Sequence, residues 1–321
     1  MNRARWVFAF VSVFFCIQNL AAQGYPSKPV RLIVSFTAGS STDIVARIVM
    51  QKVSEYWGQP AVIENRAGAG GSIGSNVVAS AAPDGYTLLV NSSAHAVNPA
   101  IYAKLPYDTL KDFVDIVPLT VQPNVLVVNA SAPFRSLMDL VNAAKAKPGS
   151  INFGHAGVGS GTHLNTERFI AAASIQVTQV PFKGTPEVIA ALLSDSVHCY
   201  WSPISAGMSA IKGGKLRALA VSSAKRNPTL PELPTTGEAG VQGADSPLWF
   251  GVWAPAGTPA DAVQRISADV RRALADPGVK EKLLNLGNDS MDMSPAEFAK
   301  FVREEIDAYQ RVIRAAGIKP Q

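Results

Sequence analysis

Short apolar runs alternate along the chain with segments whose apolar residues recur at helical spacing. Residues 30–34 form a buried strand pattern, and apolar positions then repeat every three or four residues, which predicts a helix over 43–56. The same alternation predicts strands at 61–63, 87–90, 125–128, 151–153, 177–182, 197–202, 216–222 and 248–254, and helices that include 72–81 and 186–193. This order is typical of an α/β fold with mostly parallel strands.

Several helix starts are marked by capping residues. Ser136 with Asp139 and Ser294 with Glu297 have the capping-box spacing, and Thr42 or Asp43 is predicted to cap the helix over 43–56. Asp276 begins an Asp-Pro-Gly sequence that is expected to break the C-terminal helical region.

Two loops of small and hydroxyl residues each join a strand to a helix, at 35–43 and at 154–163. The first N–H groups of a helix have no partner within the helix, so such loops can bind an anion. An ordinary capped turn is the alternative. No Lys follows the first loop as in a P-loop, and the glycines of 68–74 lack the dinucleotide spacing, so no cofactor is predicted.

Ser160 and His163 allow two interpretations. They could be a nucleophile and its base, which predicts an exported serine hydrolase or esterase. However, the local sequence Gly-Val-Gly-Ser-Gly does not match the hydrolase elbow Gly-x-Ser-x-Gly. A helix cap with a packed histidine is the other interpretation.

Residues 1–24 have the pattern of a cleaved secretory signal peptide, with Arg3 and Arg5 before an apolar stretch and small residues at the end. The protein is therefore expected to be exported. Without Arg3 and Arg5, 27 basic residues face 24 acidic ones, a net charge of +3 instead of +5. Since no basic block stands out, no nucleic-acid partner is predicted.

Cysteine and histidine usage predicts neither a disulfide nor a metal site. Only Cys199 follows the signal sequence, and it is expected to be a packed core residue. The four histidines lack the close spacing of zinc ligands. About 300 remaining residues favour two domains.

Five stretches in one order resemble the Bug family, the extracytoplasmic solute receptors of tripartite tricarboxylate transporters. They are Tyr-Pro-Ser-Lys-Pro-Val-Arg at 25–31, Glu-Asn-Arg-Ala-Gly-Ala-Gly-Gly at 64–71, Pro-Asp-Gly-Tyr-Thr-Leu-Leu at 83–89, Gly-Lys-Leu-Arg-Ala-Leu-Ala-Val at 214–221 and Ala-Pro-Ala-Gly-Thr-Pro at 254–259. The resemblance covers essentially the whole chain after the signal sequence.

This resemblance implies a two-lobed periplasmic-binding-protein fold, similar to type II, with the ligand in a cleft. Lobe 1 would combine 25–124 with 249–321, and lobe 2 would span 125–248. In the family, the loops matching 36–42 and 156–163 meet across the cleft and hold a carboxylate through N–H groups, hydroxyls and waters. The residues expected to bind the ligand are Phe36, Ala38, Gly39, Ser40, Ser41, Thr42, Ser92, Ala156, Gly157, Gly159, Ser160, His163, Thr185, Trp201 and Ser202.

Two positions depart from the family pattern. Many members have a Pro-Phe-Ala-Pro-Gly-Gly loop, where this chain has Ser-Phe-Thr-Ala-Gly-Ser at 35–40, and many carry an acid where Trp201 stands. The indole predicts a neutral, apolar or aromatic ligand tail, or a second carboxylate held by Ser92, Thr185 and Ser202. The alternative is that Trp201 fills the lobe core.

The leading hypothesis is a monomeric, non-enzymatic receptor for a small carboxylic acid: a di- or tricarboxylate, an amino acid or an aromatic acid. It would deliver the acid to membrane transporter subunits or to a sensor, and would need no cofactor or metal. The alternatives are the hydrolase using Ser160 and His163 and a structural or adhesive exported protein, which would have no closed cleft.

Overall fold

The computed structural model describes residues 24–315, which form two β-sheets covered by α-helices. The signal peptide predicted for 1–24 lies outside the described residues except for Gly24. Among the helices of the described range, none combines the length and the apolar character needed to cross a bilayer.

The first sheet takes its strands from the N-terminal and the C-terminal parts of the described chain. Its strands are β1 (Val30–Val34), β2 (Ala61–Asn65), β3 (Thr87–Ser92), β4 (Phe113–Gln122), β10 (Leu248–Pro255) and β11 (Asp289–Ser290). Their order across the sheet is β11-β4-β10-β3-β1-β2.

The second sheet is built from the middle of the chain. Its strands are β5 (Asn124–Asn129), β6 (Asn152–His155), β7 (Thr178–Pro181), β8 (Cys199–Pro203) and β9 (Leu216–Val221), in the order β7-β6-β8-β5-β9. We call the first sheet with its helices lobe 1 and the second sheet with its helices lobe 2.

The helices cover both faces of the two sheets. They are α1 (Ser41–Trp57), α2 (Ser72–Ala79), α3 (Ala94–Ile101), α4 (Leu137–Ala146), α5 (Gly161–Ala173), α6 (Thr185–Leu193), α7 (Ile204–Lys212), α8 (Ala260–Ala275), α9 (Pro277–Asn285) and α10 (Pro295–Ala315). The predicted strands and helices are confirmed to within two residues at their ends. The sequence patterns did not predict α3, α7, α9, β4 or β11.

The α/β class and the two-lobed architecture are confirmed, but the expectation of mostly parallel strands is wrong. β1 pairs in parallel with β2 and β3, and β6 does so with β7 and β8. In contrast, β10 runs antiparallel to both β3 and β4, and β5 runs antiparallel to both β8 and β9. The strands next to the two crossings between lobes reverse direction, so both sheets are mixed.

The chain crosses between the sheets at two places. β4 ends at Gln122 and β5 begins at Asn124, so one residue separates the two sheets at the first crossing. The chain returns to lobe 1 as β10, which is buried along its whole length. The lobe bounds of 25–124 with 249–321 and of 125–248 stay a prediction.

Each sheet is buried on both faces, so the central strands are apolar at successive positions rather than at alternate ones. Leu32 packs in the cluster that contains α1 and α8, and the next residue, Ile33, packs in the cluster that contains α3 and α10. In lobe 2, Leu126 belongs to the cluster with α4 and α5, and Val127 belongs to the cluster with α6 and α7. Each lobe therefore has a double-sided core.

The two capping boxes predicted for α4 and α10 are confirmed. The Ser136 hydroxyl accepts from the backbone N–H of Asp139, whose carboxylate accepts from the Ser136 backbone N–H. Ser294 and Glu297 make the equivalent bonds. Asp276 ends the region of α8 as expected, and its carboxylate caps α9 directly afterwards.

A histidine on α3 lies inside the core of lobe 1. His95 has no exposed surface, and its ring centroid lies 4.4 Å from that of Trp253 and 4.8 Å from that of Phe113. Neither ring nitrogen has a hydrogen-bond partner in the described part of the chain. Burial lowers the pKa of His95 to about 3, because the charged form cannot be solvated there.

This burial predicts that the free energy of unfolding falls on acidification. An unfolded histidine takes up its proton near pH 6.5, whereas folded His95 stays neutral down to about pH 3. Below pH 6.5 the unfolded chain therefore binds a proton that the folded chain does not, which costs about 2 kcal/mol of stability by pH 5. Urea unfolding at pH 7 and pH 5 should show a pH dependence smaller by about this amount in His95→Phe than in the wild type. An identical pH dependence in the two proteins would contradict the prediction.

Candidate functional site

A small cavity lies between the two lobes. Its lining residues are Phe36, Ser40, Ser41, Thr42 and Ser92 from lobe 1, Leu248 at the return crossing, and Ala156, Ser160, Gly161, Thr162, Thr185 and Pro203 from lobe 2. None of these twelve described residues carries a charge. Seven of them carry a hydroxyl group, so the lining is uncharged and contains hydrogen-bonding groups.

The two loops that face each other across this cavity have nearly the same backbone geometry. Ser40 is the N-cap of α1 with φ −70° and ψ 161°, and Ser160 is the N-cap of α5 with φ −71° and ψ 158°. Each serine follows a glycine at φ +79°, in the left-handed region that glycine tolerates best. In each loop the serine N–H donates to the carbonyl three residues earlier, at 3.0 Å and 3.1 Å. The loops therefore present two helix starts to the cavity in equivalent ways.

The prediction that Thr42 or Asp43 caps α1 is wrong, since the helix begins at Ser41 with Ser40 as its N-cap. The Asp43 carboxylate folds back and accepts from the Gly39 N–H at 2.9 Å and from Arg47 Nε at 2.9 Å. Burial would raise the pKa of Asp43, but these hydrogen bonds and one from Asn65 outweigh it and hold the pKa below its usual value. The charge of Asp43 is thus compensated by Arg47.

The Ser40 hydroxyl is the least satisfied group of the first loop. Its side chain makes no capping bond, and its oxygen has no hydrogen-bond partner in residues 24–315, although Ser40 is only 3% exposed. A buried hydroxyl without a partner is costly unless something else bonds to it. Together with the N–H groups of two helix starts, each equivalent to about half a positive charge, it provides donors for an anion.

In lobe 2, hydroxyl groups are connected to one another. Thr162 Oγ1 accepts from the Ala156 N–H at 3.0 Å and lies 3.1 Å from Ser160 Oγ. On the neighbouring wall, Thr185 Oγ1 lies 2.9 Å from the hydroxyl of Tyr200. These contacts fix the positions of the hydroxyls that line the cavity.

The geometry of Ser160 and His163 is that of a helix cap. Ser160 Oγ accepts from the backbone N–H of His163 at 3.1 Å. The His163 ring instead accepts from the Gly159 N–H at Nδ1, at 3.4 Å, and its Nε2 lies 3.4 Å from Glu167. Since both ring nitrogens have other partners, His163 is not placed to take a proton from Ser160.

A second histidine, His155, packs against His163 of this loop. The His155 ring lies 4.6 Å from that of His163, and His155 is 1% exposed. Burial, together with the neighbouring His163, lowers the pKa of His155 to about 3, so this residue is neutral. Burial raises the pKa of Glu167, but hydrogen bonds from His163 and Gln179 outweigh it and hold the pKa below its usual value.

The structure brings eight of the fifteen predicted site residues into the cavity lining. They are Phe36, Ser40, Ser41, Thr42, Ser92, Ala156, Ser160 and Thr185. Ala38, Gly39, Gly157, Gly159 and His163 belong to the same two loops but do not line the cavity. Ser202 is fully buried, and its hydroxyl donates to the carbonyl of Pro203.

Trp201 is placed in the core of lobe 2 rather than in the cavity lining. It has no exposed surface, and its indole packs edge-on against Phe169 at 5.4 Å between centroids. Its neighbour Tyr200 instead reaches the cavity wall through Thr185. This position favours core packing over ligand contact for Trp201.

Four lining residues were not predicted from the sequence: Gly161, Thr162, Pro203 and Leu248. Gly161 and Thr162 lie in the second loop, and their position in the first turn of α5 could have indicated them. Pro203 and Leu248 lie at strand ends next to the crossings, and no local signal marks them as part of a site.

Comparison with known families identifies the chain along most of its length. The family model described as "Tripartite tricarboxylate transporter family receptor" matches residues 45–318. The chain is 34% identical over 325 residues to Protein BugT of Bordetella pertussis, which covers 99% of both chains. It is 36% identical over 313 residues to the UPF0065 protein in the tcbD-tcbE intergenic region of a Pseudomonas species, covering 96% of this chain and 93% of that one.

Solved structures share the fold. The R. palustris protein Rpa4515, solved with adipate, has a TM-score of 0.90 and 36% identity, and the match covers 92% of this chain and all of that one. MatC from Rhodopseudomonas palustris, solved with bound malate, has a TM-score of 0.86 and 33% identity, and the match covers 90% and 100%.

The placement of Trp201 leads to a prediction about stability. Trp201→Ala removes a fully buried indole and should lower the free energy of unfolding by about 3–5 kcal/mol, measured by urea unfolding. Trp201→Phe retains an aromatic ring at this place and should fold with wild-type ligand preferences. A folded Trp201→Phe with altered ligand preferences would show instead that the indole acts on the ligand.

Proposed function

Because the chain belongs to the tripartite tricarboxylate transporter family of receptors, we propose that its cavity binds a small carboxylic acid between the two lobes. Proteins of this family are solute-binding receptors, and the chain is a receptor of this kind rather than a hydrolase. The cap geometry of Ser160 and His163 agrees with this conclusion.

One observation carries the proposal. Two helix starts with equivalent geometry face one cavity that has no charged lining residue, and the Ser40 hydroxyl between them lacks a partner among the described residues. A carboxylate placed there accepts charge-assisted hydrogen bonds from N–H groups and hydroxyls of both lobes. Bridging waters can complete the contacts with little loss, so acids of different shape can share the same carboxylate position.

Similar proteins support this ligand class. Rpa4515 was solved with adipate and MatC with malate, and both are small carboxylic acids. The residues proposed to hold the carboxylate are those of the two loops, 36–42 and 156–163. The remainder of the acid would contact Ser92 and Thr185, together with Leu248 and Pro203.

The two lobes are proposed to close on the acid by movement at the two crossings, as in other hinged binding proteins. Lobe 1 would then comprise 25–124 with 249–321, and lobe 2 would comprise 125–248. Since the site has donors from both lobes, the acid is fully bonded only in the closed form. Binding therefore favours closure.

The receptor is proposed to act as a monomer in the periplasm after removal of residues 1–24, and to deliver its acid to membrane transporter subunits or to a sensor. The mass of the protein purified from the periplasm tests the first part. A mass that corresponds to a start at Gln23 or Tyr25 is expected, and a full-length mass would contradict cleavage. Size-exclusion chromatography of the purified protein tests whether it is a monomer.

A thermal-shift screen tests the function. A ligand that binds only the folded protein raises Tm with concentration, so some di- or tricarboxylates, amino acids or aromatic acids should raise the Tm of this protein. The ester of each active acid in which every carboxyl group is methylated is the matched control, because it retains much of the shape but cannot present a carboxylate. Equal shifts from an acid and its ester would contradict carboxylate binding.

The two N-cap serines give a sharper prediction. Ser40→Ala removes a hydroxyl that makes no bond within the described chain, so the ligand-free protein should keep its stability, while binding weakens by about 1–3 kcal/mol. Ser160→Ala should weaken binding similarly and also lower the free energy of unfolding by about 0.5–2 kcal/mol, because the α5 cap is lost.

Calorimetric titration and urea unfolding measure these effects. Ser131→Ala serves as the control, since its exposed hydroxyl bonds to Asn129 outside the cavity. Wild-type affinity in both Ser40→Ala and Ser160→Ala would refute the proposed carboxylate position.

A further inference from the structure

Residues 157–160 of the second loop contact residues of lobe 1 that do not line the cavity. The Tyr102 hydroxyl, at the end of α3, donates to the carbonyl of Val158 at 2.8 Å. The Val158 side chain packs in the apolar cluster of lobe 1 that contains α3 and α10. The loop is thus bound to lobe 1 by both its backbone and a side chain.

An amide on α3 adds a second contact. In the orientation that satisfies both ends of its side chain, Asn98 donates to the Gly159 carbonyl at 3.2 Å and accepts from the Tyr107 hydroxyl at 3.3 Å. Asn98 is fully buried, so this amide is held in place by the lobe 1 core. Its contact fixes the residue that directly precedes the N-cap Ser160.

The third contact is a close approach of two backbones. A Cβ at Gly70 would lie 2.1 Å from the Val158 carbonyl oxygen and 3.1 Å from the Ser160 nitrogen. Gly70 has φ +57°, and Gly157 and Gly159 on the facing loop also have positive φ. The glycine-rich stretch at 68–71 does not have the spacing of a nucleotide-binding motif. It provides the surface that this loop contacts.

These contacts involve the same loop that lines the cavity. Ala156 and Ser160 flank the contacted residues and both line the cavity. The segment therefore contacts lobe 1 between two residues that line the cavity.

We infer that Gly70, Asn98 and Tyr102 form a closure latch, by which we mean a set of lobe 1 contacts that hold residues 158–159 when the lobes meet. These contacts position the ligand-binding loop of lobe 2. This inference rests on the proposed function, since it assigns the latch to closure over an acid. These three are positioning residues, because none of them lines the cavity.

The latch has a specific consequence for affinity. The apparent affinity of a receptor is reduced by the fraction of molecules that are not in the binding-competent form. A latch stabilises the closed form without touching the ligand. Loss of the latch should therefore weaken the binding of every acid by the same factor, mainly by faster dissociation.

Gly70→Ala tests the inference against Gly58→Ala as a matched control. Both glycines lie in lobe 1 at similar φ, +57° and +61°, so alanine strains the backbone about equally. A Cβ at Gly58 meets nothing within 4 Å, whereas one at Gly70 collides with Val158. Gly70→Ala should raise the dissociation rate of adipate, of malate and of the acids active in the screen by about 10-fold or more, relative to Gly58→Ala.

Small-angle scattering separates this inference from the proposed function. Gly70→Ala should have a larger radius of gyration than Gly58→Ala whether or not an acid binds. If no acid binds the wild type, the proposed function fails and this comparison still tests the latch. Equal radii and equal dissociation rates in the two variants would overturn the latch.

Tyr102→Phe is a second variant that introduces no clash and retains the ring. Loss of one hydrogen bond should raise the dissociation rate about 2- to 10-fold for all acids, with their ranking unchanged. Tyr86→Phe, which removes a hydroxyl bonded to Ser27 instead, is the control. A changed ranking, or a lower Tm of the ligand-free protein with an unchanged dissociation rate, would mean that Tyr102 does not act as a latch.

Discussion

The proposed site depends on two helix starts that face each other across one cavity. A helix of any sequence leaves its first N–H groups without partners, and their aligned dipoles favour an anion. Here α1 and α5 begin with the same backbone geometry on opposite sides of one cavity, and no charged residue lines it. A fixed positive side chain would attract anions to a single lobe in the open form. In the proposed function, dipoles and hydroxyls divided between two lobes act together on the acid only when the lobes meet, so binding of the acid would favour closure.

This arrangement places strict demands on the backbone. Both N-cap serines need a preceding glycine in the left-handed region, and the glycines at 70 and 157 allow the two lobes to approach within van der Waals contact. A Cβ at Gly184 would likewise collide with Thr37 across the cleft. Glycine is therefore used where chains meet, rather than where a loop must be flexible. The double-sided cores of the lobes hold these loops in position, because α1 and α5 are each packed against a buried sheet.

Local patterns were sufficient to predict most of the fold, because continuous apolar strands and amphipathic helices can be recognised from the spacing of apolar residues in the sequence. They failed for α3, which contains Pro99, and for α7, which is rich in small residues, since neither segment has a strong helical signal. They also failed for strand direction, which is set by where the chain crosses between lobes. The two loops were predicted from their composition, and the family resemblance brought them together. Pro203 and Leu248 could not be predicted, because they enter the lining only through the tertiary arrangement of strand ends.

Discrimination among acids must come from the remainder of the cavity wall, since backbone donors bind any carboxylate equally well. Phe36, Leu248 and Pro203 provide apolar surface, and Thr185 provides a hydroxyl fixed by Tyr200. No carboxylate among the described lining residues could pair with an ammonium group; the Glu187 carboxylate contacts the Thr37 hydroxyl at 3.3 Å and does not line the cavity. Burying an unpaired ammonium is costly, so an amino acid would lose much of what its carboxylate gains. For the proposed carboxylate ligand, this wall therefore predicts a preference for acids without an amino group.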